Sequence, residues 1–385
     1  MKVVISGYYG FDNAGDEAVL AAILTGLREQ CHKVRPVVLS AAPERTADRW
    51  GVEAVPRLSL PAVRRAIRGA ALFISGGGTL LQDATGWGSV PYYGGLMVLA
   101  RRLGVPVFVY AQGLGPLRRR SLRGLAGRAL AAADFVTVRD AASAALCRDL
   151  GVNPARVHLT ADPVFTFVRG DGAVIGPQSP AHGITDAGRR LLASLPEGPL
   201  VGISLRSLPG GGGPEAAERL LDGVTRALRA AMPALGARIV PLPLHPPQDG
   251  PVLDRLVAGL GPLAAPWPAA VEPAALAPSD WIAVFERMEL CVTMRLHGLI
   301  FAACAGVPAV AVGTDPKLAA HVDELGLPRE RFLLGGCAGL SDVLAALWPE
   351  RRSWRRRILD QAAVLKERAR ETAARALAVA QEAVA

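Results

Sequence analysis

The chain has 385 residues, of which 51% are apolar, 20% charged and 5% aromatic, enough for about two domains with cores of their own and too apolar for a disordered chain. Its mean hydropathy of +0.28 arises without an apolar run near the ~18 residues of a membrane-spanning helix, so a soluble protein is expected. Lys and Arg number 43 against 34 Asp and Glu, a net charge of +9, and only four of the cations are lysines. This composition points to a GC-rich genome rather than to a nucleic-acid partner, and it leaves anionic substrates and an anionic membrane surface open.

In chain order, short apolar runs at 3–6, 34–39, 71–75, 105–110 and 135–138 alternate with segments of helical length. The rhythm is that of βαβ units on a parallel sheet. It breaks at about 168–199, where Gly, Pro, Ser and Asp accumulate, and resumes with runs at 200–205, 237–242, 289–293 and 308–312. The expected organisation is an N-terminal Rossmann-like domain over 1–167, a linker over 168–198, a C-terminal Rossmann-like domain over 199–348 and a helical segment over 349–385. The fold class is therefore α/β, with two parallel sheets facing a central cleft. Five widely spaced cysteines contain no C-x-x-C pair and suggest neither a disulfide framework nor a zinc site. The N-terminus lacks the long apolar stretch of a signal peptide, so a cytoplasmic location is expected.

In open α/β sheets ligands bind beyond the carboxyl ends of strands. After the first run comes Gly7-Tyr8-Tyr9-Gly10-Phe11-Asp12-Asn13-Ala14-Gly15-Asp16-Glu17, leading into a helix that Asn13 can cap. Asp12, Asp16 and Glu17 repel a nucleotide phosphate and suit sugar hydroxyls, as hydrogen-bond acceptors or a general base; alternatively they complement the helix dipole. Gly76-Gly77-Gly78-Thr79 follows the third run, and Gly77 and Gly78 permit close approach of a ligand to the backbone or form an ordinary tight turn. Gln112, in Ala111-Gln112-Gly113-Leu114-Gly115-Pro116, either binds substrate or holds its loop together.

Arg139, Arg206 and Arg295 follow three further strands, and three convergent guanidinium forks would bind a small polyanion; each alone can equally be a structural ion pair, with Asp140 the neighbour of Arg139. His297 opens a helix two residues after Arg295, positioned to give and take a proton near an anion. His245, in a proline-rich loop, and Lys317, in Asp315-Pro316-Lys317, are further candidates, whereas Asp162-Pro163 reads as a turn entering the linker. No residue pattern calls for a metal or a redox cofactor.

Together the glycine-acid loop, Gly76-Gly-Gly-Thr-Leu-Leu-Gln-Asp83, Tyr110-Ala-Gln-Gly-Leu-Gly-Pro116, Val138-Arg-Asp140, Asp162-Pro-Val-Phe165, Met294-Arg-Leu-His297 and Asp315-Pro-Lys317 resemble the polysaccharide pyruvyl transferase family, particularly its CsaB-type bacterial members, over about residues 1–325. The resemblance implies a fold similar to two-domain GT-B glycosyltransferases, phosphoenolpyruvate as donor, and a lipid-linked cell-wall glycan precursor as acceptor. For CsaB-type members that acceptor is an N-acetylmannosamine unit, and the ketal product anchors surface-layer proteins. The family's Arg-Leu-His element falls on Arg295, Leu296 and His297, its strand-end arginine on Arg139, and its N-terminal acid on Asp16, with Asp12 beside it. The stretch after Arg206, Ser-Leu-Pro-Gly-Gly-Gly-Gly, departs from the more aromatic and basic one of the family.

On this reading Arg139, Arg295, Arg206 and Lys317 bind the donor, and His297 is the acid or the partner of the leaving phosphate. Asp16 is the base acting on a hydroxyl; Asp12, Asn13, Gly77, Gly78, Gln112 and His245 bind the acceptor. Competing readings are a nucleotide-sugar glycosyltransferase of the same fold and a non-catalytic envelope glycan-binding protein. Two basic segments, Arg118–Arg120 with Arg123 and Arg128, and 351–357, either dock on the inner membrane face or are solvated helix surface.

Overall fold

The computed structural model describes residues 1–84, 86–168, 183–206 and 213–382. The chain forms two compact units: Met1–Thr166 with Leu365–Ala385, and Phe167–Val364. The first is built on seven parallel strands, β1 (Lys2–Ser6), β2 (Arg35–Ser40), β3 (Glu53–Pro56), β4 (Leu72–Ser75), β5 (Val107–Gln112), β6 (Phe135–Val138) and β7 (Val157–Leu159), in the order β3-β2-β1-β4-β5-β6-β7. The central strands are apolar throughout because helices cover both faces of the sheet. Val3, Val4, Ile5, Leu72, Phe73, Ile74, Val107, Phe108 and Val109 are all fully buried.

The second unit has five parallel strands, β8 (Leu200–Ser204), β9 (Arg238–Pro241), β10 (Leu290–Thr293), β11 (Ala309–Val312) and β12 (Leu333–Leu334), in the order β12-β11-β10-β8-β9. In each sheet the chain reverses its direction of winding once, between β1 and β4 and between β8 and β10. Loops leaving neighbouring strands diverge at such a switch point and open a crevice. The glycine-acid loop and the Gly76–Thr79 loop leave the first switch point; Arg206 and Arg295 follow the two strands at the second.

Three strands, β3, β7 and β12, lie beyond the nine apolar runs. All stand at sheet edges and are short and partly exposed, so they need no continuous apolar run. Within the segment expected to be a linker, residues 169–182 lie outside the described residues. Asp186–Ser194 forms a helix of the second unit, tied down where the Thr185 N–H donates to Asp280 Oδ1 at 2.8 Å and its hydroxyl to Oδ2 at 2.7 Å. The C-terminal helix, Arg351–Glu382, contributes residues to both units. Its later part packs on the first, where the Thr160 hydroxyl donates to Arg368 O at 2.7 Å and lies 2.7 Å from the Thr372 hydroxyl. No described helix is long and apolar enough to cross a membrane.

Candidate active-site residues in the two units

At the switch point of the first unit, Asn13 caps the helix Ala14–Gln30 by accepting from Gly15 N–H at 3.1 Å. Glu17 is structural: the Gly10 N–H donates to its Oε1 at 2.8 Å and the Trp50 indole N–H to its Oε2 at 3.0 Å. Asp16, one residue earlier on the same helix, faces the glycine loop instead. A Cβ placed on Gly78 would lie 2.9 Å from Asp16 Oδ1, and Gly78 has φ +87°, a conformation that only glycine adopts without strain. Gly77 packs against Val19, 2.6 Å from where its Cβ would stand. Asp12, at φ +59°, is held by Arg45 at 2.6 Å.

A bulge at the end of β5, with Ala111 at φ +45°, re-aims Gln112. The buried Gln112 amide donates to Ser75 Oγ at 2.7 Å and to Gly76 O at 3.1 Å. Through these two bonds Gln112 braces the glycine loop, while its Oε1 has no hydrogen-bond partner among the described residues. Sequence reasoning passed over Tyr9. Its ring is fully buried between Gly7 and Gly76, its hydroxyl has no hydrogen-bond partner among the described residues, and burial, then the charges of Asp16 and Glu17, hold its pKa far above the usual phenol value.

Arg139 is buried beneath the same loops. Its Nη1 donates to Asp162 Oδ2 at 2.7 Å and its Nη2 to Thr79 Oγ1 at 3.0 Å, whereas Asp140 stands off at 3.8 Å. Asp162 is therefore not a simple turn residue but the buried partner of Arg139, and Asp140 is the cap of the helix Ala141–Asp149. Arg139 thus uses its fork on the protein and braces Thr79.

In the second unit, Arg295 stands immediately before the helix Leu296–Cys304 without a capping side-chain bond, and His297 lies in the first turn. Asp249, fully buried in the first turn of the helix Pro246–Leu260, takes the Arg295 Nε on both oxygens at 2.9 Å and its Nη2 on Oδ1; the His245 N–H donates to Oδ2 at 2.8 Å. Burial outweighs these bonds and keeps the Asp249 carboxyl above its ordinary pKa. The Arg295 side chain retains 11% exposure against 0% for Asp249, so the pair turns its cationic end outward.

Arg206 lies 3.5 Å from Asp315, which caps the helix Pro316–Glu324 by accepting from Lys317 N–H at 3.1 Å. The Arg206 Nε is buried without a hydrogen-bond partner among the described residues. Burial and then the nearby charge of Arg295 lower its pKa below the usual arginine value. The second switch point therefore holds two guanidinium groups, each on one aspartate, at the edge where two helices begin without a capping side chain. His245, at the start of one of them, is buried.

The family model for polysaccharide pyruvyl transferase matches residues 13–316. The chain belongs to the polysaccharide pyruvyl transferase family. A comparison with curated proteins gives no match. Among solved structures, the protein is similar to Staphylococcus aureus MnaA with UDP (11% identity, 93% of this chain and 91% of that one, TM-score 0.61). It also resembles a putative UDP-N-acetylglucosamine 2-epimerase from Listeria monocytogenes (13% identity, 93% and 90%, TM-score 0.61) and Anabaena HepE with UDP and glucose (13% identity, 99% and 98%, TM-score 0.57). At these identities the likeness is one of fold, the two-domain α/β arrangement of nucleotide-sugar enzymes.

This pyruvyl transferase thus gathers its expected residues into two groups: Asp12, Asn13, Asp16, Gly77, Gly78, Gln112 and Arg139 in the first unit, and Arg206, His245, Arg295, His297 and Lys317 in the second. Asp162, Asp249 and Tyr9 join them unforeseen. Residues 207–212, where the sequence departs from the family pattern, lie outside the described residues.

Proposed function

We propose that this transferase moves the enolpyruvyl carbon skeleton of phosphoenolpyruvate onto two hydroxyls of a sugar in a cell-wall polysaccharide precursor, forming a pyruvate ketal and releasing phosphate. The observation that carries this reading is the presence of Arg206 and Arg295 at one switch point, each on a single aspartate, with the Arg206 Nε buried and without a partner among the described residues. A small dianion with a carboxylate and a phosphate would meet both guanidinium forks and supply the acceptor that the Arg206 Nε lacks among the described residues. Lys317 adds a third cation in this reading, while Arg139 supports the glycine loop from below.

The chemistry needs three events. The methylene carbon gains a proton and becomes a methyl group, leaving positive charge on the former enol carbon. One sugar hydroxyl adds to that carbon and loses its proton; phosphate then departs with the C–O electron pair, and a second hydroxyl adds to the same carbon and gives up its proton, which closes the ketal. His297 is assigned the acid, or the proton donor to departing phosphate, and Asp16 the base for a hydroxyl. Asp12, Asn13, the Gly77-Gly78 backbone and His245 are assigned to the acceptor, taken as lipid-linked N-acetylmannosamine.

The test is release of inorganic phosphate from phosphoenolpyruvate, dependent on the glycan acceptor, with release of UDP from UDP-sugars as the competing outcome. Arg206→Ala and Arg295→Ala should raise KM for phosphoenolpyruvate, His297→Ala should cost at least ~100-fold in kcat, and Asp16→Asn should slow transfer while donor affinity stays intact. UDP release without consumption of phosphoenolpyruvate, or unaltered donor kinetics in both arginine variants, would overturn the assignment.

A further inference from the structure

Large apolar side chains stand exposed at two loops of the first unit: Leu58 at 79%, Leu60 at 64% and Trp87 at 61%. These loops are neighbours. The Tyr92 hydroxyl, in the first turn of the helix Ser89–Arg102, donates to Arg57 O at 2.8 Å, and the Arg57 guanidinium covers the Tyr92 ring at 4.3 Å. The Arg57–Leu60 loop is thereby fixed against the helix start that Trp87 precedes. Trp87 in turn lies under the Arg119 guanidinium at 4.6 Å. The buried carboxylate of Asp83 takes the Arg118 and Arg119 N–H groups at 2.8 and 2.7 Å, so the basic run is pinned beside the indole.

The segments that carry these three residues, and the basic run pinned beside Trp87, hold no acid of their own. Segments 57–68, 86–95 and 117–128 carry nine arginines and no Asp or Glu. On the helix Leu60–Ile67 the residues Val63, Ala66 and Ile67 are buried, while Arg64 and Arg65 are exposed; Arg118 and Arg120 are exposed on the adjoining run. The other basic segment is different. Arg351 pairs with Glu289 at 2.6 Å, Arg355 donates to Ala305 O at 3.2 Å and Arg357 covers Trp354, so those arginines hold the C-terminal helix in place.

We infer that this face of the first unit docks on an anionic lipid bilayer, with Leu58, Leu60 and Trp87 entering the boundary between headgroups and acyl chains and the surrounding arginines meeting lipid phosphates. A folded nucleic acid or polyanion would match the arginines but leave two exposed leucines unused. An indole with one apolar and one wet edge suits a bilayer interface. The inference is independent of the donor and acceptor chemistry proposed above, and its test reads binding rather than turnover.

The full chain is sedimented with vesicles of phosphatidylglycerol and phosphatidylcholine, or of phosphatidylcholine alone, at low and high salt. Binding is expected to the anionic vesicles only and to weaken with salt. The triple variant Leu58→Ser, Leu60→Ser, Trp87→Ser should bind at least about tenfold more weakly, as should Arg118→Gln with Arg120→Gln, the latter with a shallower salt dependence. The vesicle-induced blue shift of tryptophan emission should disappear in Trp87→Phe. Donor kinetics with a soluble sugar acceptor should not change in any of these variants. Equal binding to both vesicle types, no binding at low salt, full binding by the triple variant, or a dimer that the leucine substitutions dissociate in place of vesicle binding would each overturn the inference.

Discussion

Replacing Asp249 by Asn removes the charge on which Arg295 is seated while keeping the shape of the side chain. The carboxylate is fully buried and receives Nε on both oxygens at 2.9 Å. Opposite charges at ~4 Å attract by about 4 kcal/mol at an effective dielectric of 20, yet burial has already raised the carboxyl pKa, so the net worth of the intact pair is small. Removing one partner is different, because the guanidinium then stays desolvated and unpaired, at about 3–5 kcal/mol. Asn preserves an acceptor for the His245 N–H, worth ~1 kcal/mol, which leaves a loss of about 3 kcal/mol. For a unit of the size of Phe167–Val364 that corresponds to a Tm lower by roughly 6–12 °C. Arg295→Met with Asp249→Asn should recover most of the loss, because no charge is then stranded. Calorimetry of the two single variants and the double variant decides. An Asp249→Asn protein melting within ~2 °C of the parent, or a double variant whose losses simply add, would refute the account of the pair.

Gly113 lies under Arg139, and a Cβ there would stand 2.6 Å from Nη2 and 2.8 Å from Nε. Since Asp162 and Thr79 pin that guanidinium, Gly113→Ala should cost about 1–3 kcal/mol in chemical denaturation. By contrast Gly124→Ala, in the helix Arg120–Ala131 with open space around it, should stabilise by about 0.5–1 kcal/mol. His158 stacks on Phe135 at 4.3 Å, and burial, then the charge of Arg375, lower its pKa. Its folded pKa being depressed, the neutral ring contributes stability that is present above the ordinary value of 6.5 and is lost as pH falls through the folded value. His158→Gln should flatten that part of the stability profile, measured as Tm against pH; an unchanged slope would remove His158 from the account.

The alternation of apolar runs made the two parallel sheets legible, because strands buried on both faces must be apolar along their whole length. The edge strands carry no such requirement. Glu53–Pro56 is half exposed and Leu333–Leu334 is two residues long, so neither leaves a pattern to read. Among site residues, glycines and strand-end arginines announce themselves locally, but their partners do not. Asp162 lies 23 residues from Arg139, and Asp249 lies 46 from Arg295. Asp249 stands four residues after His245 in a proline-rich stretch that opens the helix Pro246–Leu260, and nothing in its sequence neighbourhood signals an ion pair. Glu17 and Asp16 differ by one position on a helix, a rotation of about 100°, which sends one to the Trp50 indole and the other toward Gly78.

A strand-end arginine is therefore not a binding residue by virtue of its position. Arg139 and Arg295 both follow parallel strands, and each meets a buried aspartate. Around Arg139 the second neighbour is another acid, Asp140, and a threonine takes the remaining edge of the fork, so positive charge is cancelled where it stands. Near Arg295 stands Arg206, 3.5 Å from Asp315; the pKa of Arg206 is lowered by burial and then by the charge of Arg295, and its Nε has no partner among the described residues. The switch point of the second sheet brings those two arginines together, because β8 and β10 are neighbours in space although some 85 residues of chain separate them in sequence.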